Sequence, residues 1–210
     1  MKKYFIRLLN IVCAFFIFST SSTANAQTLG SLKEKYQYVG INSGEFNSLA
    51  TFGKQRSLNW CWAACIQMVL NFHSIPITQE QVVKKTLGKL VDRPADPNMM
   101  FKTLNGWEVN SYGELASINS NIYPTSASEI TSFVTTKNPL IVGLAQQGVV
   151  GHAYVLIGLF YEEVKTNSGI KYKPHSVILI DPFPGNTSIK DMSWADFADK
   201  LMMCYKVWVN

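Results

Sequence analysis

At Pro139 the hydrophobic pattern changes period, and this change limits the possible folds more than any other feature of the chain. Downstream, Leu140 to Leu144, Ala153 to Tyr161 and Ser176 to Ile180 are β-branched or apolar runs bounded by turn residues, as buried strands are. Asn167-Ser168-Gly169 lies between the second and third runs and supplies a hairpin turn. Upstream the spacing is helical. Trp60 to Phe72 holds thirteen residues without Gly or Pro and is apolar on most sides, which predicts an interior helix. Thr78 and Gln81 have capping-box spacing ahead of a helix that Gly88 stops. Pro94-Ala95-Asp96-Pro97 can start a short helix through Leu104, and a further helix runs from Ser126 to about Thr136. Near the C-terminus, Ser193 to Leu201 reads as helical and Tyr205 to Val209 as a last strand. Helices followed by strands predict an α+β fold in which a helical part packs against a sheet.

The N-terminus needs separate treatment. Lys2, Lys3 and Arg7 precede an apolar run from Leu8 to Phe18, and a polar stretch follows that ends in Ala24-Asn25-Ala26. That order predicts a signal peptide over residues 1–26, removed after Ala26, and an exported protein, secreted or periplasmic. The apolar run is about half of the roughly 20 residues that span a bilayer, so no stable membrane anchor is expected after cleavage. Residues 27–52 read as an irregular, polar lead-in with one strand candidate at Tyr36 to Val39, and 53–210 as a single domain.

Export alters the charge argument. Three of the 19 Lys and Arg residues lie in the predicted signal peptide, leaving 16 against 14 acidic residues, a net of +2. No concentrated basic stripe remains, so nucleic acid is not an expected partner. The cysteines left after processing are Cys61, Cys65 and Cys204, so at least one is free or pairs with another chain. No pair has zinc-ligand spacing, and neither a metal nor a cofactor is expected.

A free thiol in an exported protein calls for a chemical reason. Cys61 falls at the first turn of the interior helix, where unpaired N–H groups and the positive end of the macrodipole stabilise a thiolate. The Cys61 N–H is one donor for a developing oxyanion. Gln55, six residues upstream, either folds its amide alongside or is a solvated loop side chain. His73 stands twelve residues beyond Cys61 on the same helix, roughly 18 Å away, too far to act as its base. His152 begins one strand and Asp181 ends another. A hairpin centred between Thr166 and Asn167, with no bulge, places these two directly opposite each other. In that register His175 faces Gly158, about 20 Å along the sheet from Asp181 at ~3.3 Å per residue, and has no orienting carboxylate. Cys65 lies one helical turn deeper than Cys61 and reads as core packing or as a disulfide partner of Cys204.

With Gln55-x5-Cys61-Trp62-Ala63, Gly151-His152-Ala153 and Asp181-Pro182 the chain resembles papain-like cysteine peptidases, in particular the compact bacterial AvrRpt2-type and C39-like members. The resemblance runs from about Phe52 to the C-terminus. It implies two lobes, a helical one carrying the nucleophile and an antiparallel sheet carrying His and Asp, with a peptide or protein substrate in the groove between. It further implies Cys61 as nucleophile, His152 as general base, Asp181 as its orienter and Gln55 as the oxyanion glutamine. The chain departs from larger papain relatives in its short Cys61-to-His152 separation, in Trp60 where they have a small residue, and in Asp181 where they have Asn. Two other functions fit the same residues: a different Cys-His-Asp acyl transferase, such as a cell-wall amidase, and a non-catalytic peptide-binding module.

Overall fold

The computed structural model describes residues 35–105, 118–122, 127–146 and 149–209. The signal peptide expected at 1–26 and Ser126 lie outside the described residues. The described residues form six helices and seven strands in the order β1 (Gln37–Gly40), α1 (Ser43–Ala50), α2 (Cys61–Phe72), α3 (Gln79–Leu87), α4 (Pro97–Leu104), β2 (Ile118–Ile122), α5 (Ala127–Thr135), β3 (Leu140–Gln146), β4 (Val149–Thr166), β5 (Gly169–Ile180), β6 (Ile189–Ser193), α6 (Trp194–Lys200) and β7 (Leu201–Val209).

The helix signals act locally as the sequence predicts. Thr78 accepts a hydrogen bond from the Gln81 N–H while the Gln81 side chain accepts from the Thr78 N–H, and Gly88 closes α3 at φ 74°. Asp96 caps α4 ahead of Pro97. The interior helix α2 buries Trp62, Ala63, Ala64, Cys65, Ile66, Met68, Val69 and Leu70, and it packs against α1, α3, β3 and β4.

One antiparallel sheet runs in the order β2-β7-β3-β4-β5-β6. The long β4 organises it. Along one edge β4 pairs first with β3 and then, beyond Leu156, with β1; along the other it pairs with β5. Leu140, Val142 and Leu144 of β3 join Leu156 and Leu159 of β4, Ile130 and Val134 of α5 and Phe197 of α6 in one apolar cluster. The intervening Ile141, Val155 and Ile157 are buried as well, on the face against which α2 packs. Burial on both faces explains why these strands are continuous apolar runs rather than alternating ones. Where β1 meets β4, Gly40 pairs with Gly158. A Cβ on Gly40 would lie 2.3 Å from the Ile157 carbonyl, so the close crossing requires glycine.

Part of the predicted lead-in is ordered structure. Gln37–Gly40 is a strand, as read, but Ser43–Ala50 is a helix that the sequence reading left irregular. Its weak local signal is offset by packing: Phe46 is fully buried and stacks on Phe72 at a centroid distance of 5.6 Å. Strands β2 and β6 were not expected either. They are short and polar, and they are the two ends of the sheet order.

The β4–β5 register also differs from the expected one. Thr166 pairs with Gly169, so the turn is centred one residue later than assumed. His175 is bulged out of β5 and Ile157 out of β4, so the two shifts cancel and Val155 faces Ile180. Continuing that frame by one residue puts Tyr154, not His152, beside Asp181. His152 is the diagonal neighbour two positions away, still within reach of a side-chain contact.

Candidate active site

The start of α2 is held open by what its flanking residues do. Trp60 occupies the N-cap without any side-chain hydrogen bond to the helix, so Cys61 at the first helical position has the unpaired N–H groups of the helix end around it. The tryptophans on either side of the cysteine are anchors. Trp60 Nε1 donates to the Val91 carbonyl at 2.9 Å and Trp62 Nε1 to the Arg93 carbonyl at 3.1 Å. With the Asn59 N–H on Asp92 Oδ1 at 2.8 Å, they fasten the connection after α3 across the helix start.

The strip that leads into this helix is equally constrained. Gln79, 1% exposed, donates to the Lys54 carbonyl at 2.8 Å and accepts from the Arg56 N–H at 2.9 Å. Between them, the Gln55 N–H donates to the Pro182 carbonyl at 2.8 Å. The Gln55 side chain is buried in the wall of the cleft, and both of its amide hydrogens are engaged, with Ser57 O at 3.0 Å and Leu58 O at 2.7 Å. Its Oε1 is buried without a partner.

Opposite this strip, His152 Nε2 lies 2.9 Å from Asp181 Oδ1. Asp181 is 1% exposed and fully engaged. Its Oδ1 also accepts from the Phe183 N–H at 2.8 Å, its Oδ2 from Asn186 Nδ2 at 2.8 Å, and its own N–H donates to Ser188 O. Burial raises the carboxyl pKa, but the His152 contact, the Phe183 N–H, Asn186 and the charge on His152 outweigh it and hold the group ionised below the usual carboxylate range. Tyr154 sets its ring edge-on to the imidazole at 4.6 Å, and Phe183 closes another side at 6.4 Å.

The Cys61 thiol hydrogen-bonds the His152 side chain; with Nε2 committed to Asp181, the ring's Nδ1 is the atom left for sulfur. Burial pushes the thiol up, yet the His152 hydrogen bond, the Ala153 N–H, the charge on His152 and the Trp62 N–H bring it below the ordinary value. For His152 burial favours the neutral ring. Its hydrogen bonds and charge interactions with Asp181 and Cys61 prevail and push it up to about 9. The two shifts run in opposite directions, so thiolate and imidazolium each favour the other.

The remaining candidates stand apart from this cluster. Cys65 and Cys204 are buried free thiols, not a disulfide; burial drives Cys65 well up and Cys204 to about 12. His73 follows the uninterrupted α2 at its far end, and His175 stacks on Tyr36 at 3.8 Å. The cleft over Cys61 measures about 680 Å³ and is lined by Gln55, Leu58, Asn59, Cys61, Pro94, Gln146, Gly151, His152, Phe183 and Asn186. Among the described residues no cluster of His, Cys, Asp or Glu could hold a metal ion.

Three side chains that build the site escaped the sequence reading: Gln79, Asn186 and Lys54. Each is a common surface residue type in an unremarkable context, and only its partners, 5 to 132 residues away, give it a role. Lys54 Nζ donates at 3.0 Å to the carbonyls of Asp181, Phe183 and Asn186.

A family model described as papain-like cysteine protease AvrRpt2 matches residues 44–202. No curated protein sequence matches significantly. Among solved structures, the chain is similar to the peptidase domain of Streptococcus ComA, a bifunctional ABC transporter involved in quorum sensing. Identity there is 11% and the TM-score 0.53, over 75% of this chain and 95% of that one, a likeness of fold. A double-glycine-motif protease from an AMS/PCAT transporter, solved with its leader peptide, is similar at 15% identity and a TM-score of 0.48, over 73% of this chain and 87% of that one.

Proposed function

The chain belongs to the AvrRpt2-type papain-like cysteine proteases, and from that premise we propose that it hydrolyses peptide bonds by thiol acyl transfer at Cys61. The observation that carries this reading is the chain of contacts from Cys61 through His152 to a buried, ionised Asp181. The Cys61 thiolate attacks the carbonyl carbon of the scissile bond. As the tetrahedral oxyanion forms, the Cys61 N–H at the uncapped helix start donates to it. Gln55 adds a second donor once one of its two loop hydrogen bonds is exchanged for the oxyanion. His152, protonated, delivers its proton to the departing amine, and an acyl-enzyme remains. The now neutral ring takes a proton from water, whose oxygen attacks the thioester; the acid product leaves and the thiolate is restored. Asp181 holds the ring so that one nitrogen always faces sulfur and substrate.

Cleavage of proteome-derived peptides, profiled by mass spectrometry, tests the reading. Cys61→Ala is expected to lose at least about a thousandfold in turnover with unchanged thermal unfolding. Equal cleavage by the two proteins would refute Cys61 as nucleophile. Release of amines from peptidoglycan without any cleavage of protein substrates would point to the amidase instead.

A further inference from the structure

We propose that Lys54 is a positioning residue for the acid–base machinery: its ammonium gathers the loop that carries Asp181 and so sets the orientation of His152. The inference rests on the function proposed above. Its basis is which carbonyls Lys54 collects. Nζ donates at 3.0 Å each to Asp181, to Phe183 and to Asn186. The first is the residue bearing the carboxylate; the other two are the residues whose N–H and side-chain amide hydrogen-bond that carboxylate. Without the lysine, three carbonyls that converge on one point would repel one another, and the turn holding Asp181 would open.

The ammonium suits this task because it is compact and carries three donors that point in different directions. A guanidinium nitrogen at the meeting point of the three oxygens would carry only two N–H donors, both in one plane. The lysine backbone is itself fixed, with its carbonyl accepting from Gln79 and the next N–H donating to Pro182. The clamp therefore joins the strip bearing Gln55 to the loop bearing Asp181. Lys54 is not part of the cleft lining, so it acts on the chemistry through Asp181 and not on substrate.

Steady-state kinetics and the pH dependence of Cys61 alkylation by iodoacetamide, measured on wild type, Lys54→Met and Lys54→Arg, test the proposal. The groups whose charge bears on the alkylation midpoint are Cys61, Cys65, His152, Tyr154, Asp181 and Lys54 itself. In Lys54→Met, kcat is expected to fall about 10- to 100-fold, as misplacement of a catalytic group does, with KM within about twofold. The alkylation midpoint should move up toward that of a free thiol, because His152 no longer holds its charge beside the sulfur. Lys54→Arg keeps the charge and the stem and should remain impaired in both readouts. Full recovery by arginine would reduce the role to charge and overturn the proposal. So would a lower melting temperature with an unmoved alkylation midpoint, which marks a purely structural lysine. A wild-type midpoint at the ordinary thiol value would overturn the Cys61–His152 reading and the lysine proposal with it, whereas normal wild-type behaviour with wild-type-like variants sinks the lysine proposal alone.

Discussion

Asp181→Asn separates the charge of the carboxylate from its hydrogen bonds. An asparagine Oδ1 can still accept from His152 and from the Phe183 N–H. Its new amide nitrogen would face Asn186 Nδ2, and Asn186 resolves the conflict by rotating its amide to present oxygen. Geometry is kept and the negative charge is lost. In the native site His152 is raised from 6.5 to about 9, a preference for the charged ring of about 3 kcal/mol at 1.36 kcal/mol per tenfold. Burial opposes that preference; the hydrogen bond to Asp181 is the largest of the interactions that create it, and in the asparagine that bond loses the assistance of the charge. Assigning about half to the carboxylate gives about 2 kcal/mol, or roughly a 10- to 30-fold effect. The sign follows from the two titrations. The ring is protonated below about 9, and the thiol ionises from a lowered pKa upward, so the active ion pair occupies the window between. Losing the carboxylate lowers the upper edge. On a fluorogenic peptide, kcat/KM should therefore change little near pH 7 and drop about 10- to 30-fold above about pH 10, as the alkaline limb shifts from near pH 9 toward neutrality by about 1 to 1.5 pH units. An alkaline limb within about 0.3 of wild type would refute the assignment of Asp181 as the charge behind His152.

Two further outcomes follow from burial and from space. Iodoacetamide should modify Cys61 in the native protein and reach Cys65 and Cys204, both fully buried, only in denaturant; peptide mapping that finds Cys65 labelled first would refute Cys61 as the reactive thiol. In Gly151→Ala the new methyl would lie 2.8 Å from the Leu144 carbonyl and 3.1 Å from Met202 Sδ, immediately before His152, so stability should fall by about 1 to 3 kcal/mol and kcat with it. Unchanged thermal unfolding and turnover would show that β3 and β4 yield there without consequence.

Legibility in the sequence tracked how much of an element's stability is local. The capping box of α3, the proline start of α4 and the interior character of α2 are encoded within a few residues and were readable. The inner runs of the central strands β3, β4 and β5 are buried on both faces, so composition alone exposed them. The edge strands β2 and β6 carry polar side chains that discourage pairing with other chains, and those residues erased the strand signal. Helix α1 exists because Phe46 finds Phe72, a partner no window around Ser43 contains.

The site was readable for a different reason, and incompletely. Counting across the β4–β5 hairpin misplaced its turn by one residue and missed two bulges, yet His152 and Asp181 are in contact. An error of two in register leaves the parity of a strand intact, so a residue that loses its direct partner keeps a diagonal one on the same face. The flexible aspartate side chain and the loop after it then span the difference. Side-chain direction has no such parity. Position alone puts Gln55 beside Cys61, but its amide points to Ser57 and Leu58, and what fixes that choice is the backbone pinned by Gln79 and Pro182. Spacing can thus place residues at a site, while the bonds that aim them come from residues such as Gln79, Asn186 and Lys54, whose types carry no mark of the task.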